Sequence, residues 1–147
     1  MMPTAAKLFA AVFLGLTGTL VVYLVELSQP PTGDLPVALA VTVSVAVIVG
    51  WRACGPYAGN GYGSAILAGL KATIYLVVLA LLVLAVMQMF RLAWRHHYHA
   101  PSEAVVDIIG LALGFAKPLI APQIAGVLGV GGLVTGIMAE WAGLRWR

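Results

Sequence analysis

"ATIYLVVLALLVLAVMQMF", Ala72 to Phe90, decides the fold. The run carries no charge, with Lys71 directly before it and Arg91 directly after it. In hydrocarbon every backbone N–H and C=O needs an internal partner, and a helix supplies one within the segment. About 20 apolar residues cross the roughly 30 Å hydrocarbon core of a bilayer. Three further runs have the same character. Leu8–Val25 is uncharged and closed by Glu26. Leu35–Trp51 is uncharged and closed by Arg52, with Pro36 placed for a first helical turn. Pro118–Ala139 is uncharged up to Glu140, and Pro122 suits its first turn. The expected spans are about residues 6–26, 35–52, 66–92 and 120–142.

Composition agrees with this reading. Of the 147 residues, 62% are hydrophobic and only 9% charged, against about 25% charged in a soluble domain. That is too little charge to coat a globule, so the sequence predicts a single integral membrane domain over residues 1–147. The net charge of +3 does not indicate a nucleic-acid binder. Lys7, Arg52, Lys71, Arg91, Arg95, Lys117, Arg145 and Arg147 are scattered at the edges of apolar runs rather than gathered on one polar face. The lone Cys54 forms no intrachain disulfide. Leu8–Val25 is long for a signal-peptide core and is followed by no clear cleavage site, so it is read as a retained span.

Pro101–Lys117 is ambiguous. Glu103, Asp107, Gly110, Gly114 and Lys117 fall on one helical stripe, with Val105, Val106, Ile109 and Leu113 among the apolar residues elsewhere. The segment around 102–117 is either an amphipathic helix at the interface or an additional span. The fold class is therefore all-α integral membrane, a small bundle of four transmembrane helices, with five as the alternative. The first loop, "SQPPTGD" (Ser28 to Asp34), is acidic, whereas Lys7 and Arg52 flank the opposite ends of the first two spans. The distribution of basic residues places the N-terminus in the cytoplasm, although Arg91 and Arg95 then fall on the outer side.

Side chains that could carry chemistry are few. "RLAWRHHYHAPSEA", Arg91 to Ala104, contains all three histidines. His96 and His99 are spaced for one metal ion, but a structural zinc site needs four ligands and a catalytic one three, so they are weak candidates. Arg91, Trp94, Arg95 and Tyr98 read as an interfacial belt that contacts lipid or a partner. "GPYAGNGYG" (Gly55 to Gly63) lacks the Gly-Lys-Ser/Thr ending of a phosphate loop and reads as a turn. Lys71, Asp107, Lys117 and Glu140 all lie near the ends of apolar runs, where tilt or snorkelling brings a charge to water. No hydrolase, haem or flavin signature is present, and neither enzymatic activity nor a cofactor is expected. In the last span Gly132 and Gly136 form a GxxxG pair, and Ala125 and Gly129 a second small-residue pair. Such pairs let helix backbones approach closely, within one chain or between two.

Four stretches carry a family resemblance: "MPTAAKL" (Met2 to Leu8), "GWRACGPYAGNGYGSA" (Gly50 to Ala65), "RLAWRHHYHAPSEAVV" (Arg91 to Val106) and "GGLVTGIMAEWAGLRWR" (Gly131 to Arg147). Together they resemble the TrgA family, small alphaproteobacterial inner-membrane proteins named for tellurium resistance. The resemblance implies a multi-pass inner-membrane protein associated with tellurite tolerance, and implies no catalytic residues. The family often carries Asp or Asn where this chain has His99, which weakens the metal reading further. Three functions follow as expectations: a contributor to tellurite tolerance, an accessory subunit of a larger respiratory or photosynthetic complex, or a small oligomeric transporter. The expected partners are membrane lipid and either a larger complex or further copies of the chain.

Overall fold

The computed structural model describes residues 4–29, 33–53, 60–95 and 100–146. These form five α-helices and no strand: α1 (Thr4–Ser28), α2 (Leu35–Ala53), α3 (Tyr62–Trp94), α4 (Pro101–Ala116) and α5 (Pro122–Arg145). A 3₁₀ turn, Lys117–Ile120, separates α4 from α5. Pro118 lacks the N–H that a continuing helix would donate, and Pro122 begins the next helix at a position where that loss costs nothing.

α1, α2, α3 and α5 are long and apolar enough to cross a membrane. The chain is an all-α membrane bundle with four such helices. α4, at 16 residues, is about 24 Å long and has no buried residue. Val105, Val106, Ile109 and Leu113 on α4 are all exposed. α3 is the longest helix at 33 residues, about 50 Å. It starts at Tyr62, ahead of the expected 66, and runs past the expected 92 to Trp94. Nothing in the flanks stops it: Gly63 and Ser64 are tolerated in a first turn, and Arg91 sits in the last.

Burial is inverted relative to a water-soluble protein. The buried positions are mainly small: Ala6 and Ala10 of α1, Ala46 and Gly50 of α2, Ala72 and Thr73 of α3, Thr135 and Ala139 of α5. Leu14 and Leu76 are the only fully buried large aliphatics among the described residues. Leu16, Leu67, Ile74 and Val130 face outward. Lipid is as apolar as leucine, so packing a leucine inward gains little, whereas small side chains let backbones meet.

The closest approach is between α3 and α5. A Cβ on Gly69 would overlap the Gly132 carbonyl oxygen and crowd the Gly136 nitrogen at 2.7 Å. One on Gly136 would overlap the Ala65 carbonyl, and one on Gly132 would meet Thr73 Oγ1 at 2.7 Å. α1 closes on both neighbours in the same way. Gly50 of α2 lies where a Cβ would be 2.7 Å from Ala11 Cα, and Gly131 of α5 where a Cβ would overlap the Thr17 side chain. The buried threonines bond backward along their own helices: Thr73 donates to the Gly69 carbonyl at 3.0 Å and Thr135 to the Gly131 carbonyl at 2.7 Å. Their hydroxyls thus need no partner across the seam.

The helix ends sort into two layers. Lys7 lies 5.9 Å from the Trp51 ring centre, and Phe9 packs 5.4 Å from Trp146, so the start of α1 and the ends of α2 and α5 share one end of the bundle. Asp34 and Arg91 meet at the other end, which joins the start of α2 to the end of α3.

The two classes of glycine separate by substitution. Gly69→Ala should lower unfolding free energy in detergent by about 1–3 kcal/mol, the usual range for overpacking. Gly129→Ala, with open space around its Cβ, should leave stability unchanged or raise it by up to about 1 kcal/mol. Equal loss in both variants, measured by denaturant titration of helical signal, would show that the α3–α5 seam is not the tight contact.

Candidate functional site

Three polar features stand out against the apolar bundle. The first is Glu140, one turn before the end of α5 and 1% exposed. Its Oε1 accepts a hydrogen bond from the Gly61 backbone N–H at 3.0 Å, across 79 residues of sequence. Gly61 is the N-cap of α3, has φ +102°, and has no side chain to cap the helix itself. A carboxylate at a helix N-terminus satisfies a donor that the helix leaves open and faces the positive end of its dipole. The register of the glycine seam delivers it. Gly132 against Gly69, Gly136 against Ala65 and Glu140 against Gly61 form one antiparallel series at four-residue steps. The expectation that Glu140 reaches an interface by snorkelling is therefore corrected. It lies inside the bundle end, drawn there by an unpaired backbone donor.

The second feature is the pair Arg91–Asp34, with Nη1 to Oδ1 at 2.6 Å. Both side chains are about half exposed, at 43% and 50%, so the pair contributes at most about 1 kcal/mol. Its value is positional. It ties the end of α3 to the N-terminus of α2, where Asp34 precedes the first helical residue and its carbonyl accepts the Ala38 N–H at 2.9 Å.

The third feature is a half-open cleft of about 280 Å³ below that pair. Its walls come from α1, α2 and α3, with Phe115 of α4, Leu119 of the 3₁₀ turn and Leu128 of α5 closing one side. Ala38 and Ala80 contribute little side chain to its walls, and Gly18 lies at its base, where a Cβ would be 2.8 Å from Thr42 Cγ2. Glu26, Gln29, Asp34, Gln88 and Arg91 ring the mouth, and the interior is apolar.

The residues anticipated from sequence are distributed as follows. Gly132 and Gly136 lie in the α3–α5 seam, buried and intramolecular. Ala125 is exposed and Gly129 borders open space, so this second small pair does not pack within the chain. Gly129 instead edges a shallow groove with Leu70, Thr73 and Val77. Arg91 is the ion-pair partner of Asp34; Arg95 is exposed; Trp94 is 84% exposed. His96, His97, Tyr98, His99 and Cys54 lie outside the described residues. Among the described residues no group of three histidine, cysteine or acidic side chains could hold a metal ion. Lys71 is exposed on α3, nine residues after Tyr62.

Sequence reasoning missed two contacts. Glu140 is the single acid in the last apolar stretch, and Gly61 precedes a helix with no capping residue of its own. Those are two halves of one signal, but only the fold pairs them. The Asp34–Arg91 contact had no local signal at all. No family model, curated protein or solved structure matches this chain.

Glu140→Gln retains an acceptor for the Gly61 N–H and should stay close to wild-type stability. Glu140→Leu leaves that donor unsatisfied and should cost about 1–3 kcal/mol, read by chemical denaturation in detergent. Equal stability of the two variants would mean that the contact does not anchor α3.

Proposed function

We propose that this chain is a non-catalytic inner-membrane protein, N-terminus in the cytoplasm, that acts as an accessory subunit of a larger respiratory or photosynthetic complex. Its contribution to tellurite tolerance, the property implied by the resemblance to the TrgA family, is then indirect and follows from altered electron transport. The observation that carries this reading is the division of the small residues. Gly69, Gly132 and Gly136 close the bundle on itself, backbone against backbone. Gly126 and Gly129 of α5, and Gly110 and Gly114 of α4, border open space on the outside. A bundle closed inside with small residues left outside is suited to packing against other helices.

An oxyanion carrier fits the same geometry less well. Such a protein needs charged groups or broken helices at mid-depth. Here the mouth of the cleft holds two carboxylates, Glu26 and Asp34, and Arg91 is already paired with one of them. A dianion would be repelled there.

The test is purification from native membranes in mild detergent by an N-terminal tag, with native-gel sizing and mass spectrometry. The expected result is a stoichiometric, much larger partner complex, and a deletion strain that is more sensitive to tellurite until the gene is restored. A solitary small particle together with unchanged tolerance overturns the reading.

A further inference from the structure

We propose that the cleft beneath the Arg91–Asp34 pair is a binding site for one zwitterionic phospholipid, with an acyl chain inside and the headgroup at the mouth. The inference is independent of any partner complex.

Shape and polarity are graded along one direction. At the floor stand Gly18, Thr42 and Leu76, the level at which α1, α2 and α3 are in contact. Val22, Val25, Leu81 and Leu84 line the walls above. At about 280 Å³ the interior is a small ligand pocket, suited to one flexible chain rather than to a bulky ring system. Burial of hydrocarbon in such a groove replaces contacts that loosely packed lipid would otherwise leave incomplete.

The mouth chooses the headgroup. Glu26 and Asp34 supply two negative charges, Arg91 one positive charge, and Gln29 and Gln88 two carboxamides. Asp34 is engaged by Arg91 at 2.6 Å, whereas the Glu26 side chain has no ion pair among the described residues. An anionic headgroup meets an excess of carboxylate. An uncharged quinone leaves both charge signs unanswered. A headgroup with an ammonium and a phosphate a few bonds apart answers both: the ammonium against Glu26 and Asp34, the phosphate against Arg91. Arg91 keeps several donors beyond the one given to Asp34, so it serves the phosphate without breaking the pair.

The experiment uses the full chain in detergent, stripped of lipid and titrated with phosphatidylethanolamine or phosphatidylglycerol of matched chains, with native mass spectrometry as readout. The expected outcome is one phosphatidylethanolamine per chain, retained about tenfold more tightly than phosphatidylglycerol, the scale of one charge-assisted hydrogen bond. Glu26→Gln with Asp34→Asn should abolish that preference while lipid still binds. Ala38→Phe, which fills the space, should remove retention of both. Because the headgroup preference is read on wild type, a failure of Ala38→Phe to fold does not spare the idea. No stoichiometric lipid on wild type, equal retention of the two lipids, or retention of a quinone in their place each overturns it.

Discussion

The contact on which the rest depends is the backbone-to-backbone approach of α3 and α5 at Gly69, Gly132 and Gly136. In a bilayer the solvent is hydrocarbon, so apolar side chains do not drive helices together as they do in water. What remains is dense packing and hydrogen bonding at short range. Three glycines remove the side chains that would hold the helices apart, and Thr73 and Thr135 satisfy their hydroxyls on their own helices. The seam is therefore apolar and tight without depending on a polar bond across it.

That crossing sets the register of everything downstream. Four residues past Gly136, Glu140 arrives at the N-terminus of α3 and accepts from Gly61. A buried carboxylate is costly unless its oxygens are engaged, and the open end of a helix is one of few places in a membrane bundle that offers a donor. The same end gathers Phe9, Trp141 and Trp146 into an aromatic cluster, with Arg145 over Trp141 at 5.5 Å from the ring centre. Amphipathic rings at that level suit the boundary between hydrocarbon and headgroups.

The opposite end is looser. There Gly129 of α5 borders open space, α3 runs on to Trp94, and α4 packs beside it with no buried residue. The gap among α1, α2 and α3 is capped only by side chains from α4, the 3₁₀ turn and α5. The mouth of the gap holds the Arg91–Asp34 pair, the Glu26 carboxylate and the carboxamides of Gln29 and Gln88.

Much of this was legible in the chain. Uncharged runs closed by Glu26, Arg52, Arg91 and Glu140 determine that four helices are long and apolar enough to cross a membrane, because hydrocarbon admits neither open backbone nor unpaired charge. The prolines at 118 and 122 mark the break before the last helix, since proline has no N–H to give. The spacing of Gly132 and Gly136 announces a close contact, but not its partner; spacing describes one helix, and Gly69 lies 63 residues away. For the same reason Ala125 and Gly129, equally small, look equivalent to Gly132 and Gly136 in the sequence, yet Ala125 is exposed and Gly129 borders open space. Glu140 reads from sequence as a charge near an interface; only the fold supplies the backbone donor that makes burial favourable. The cleft was invisible in sequence, because a cavity is the space between residues that only tertiary structure brings face to face.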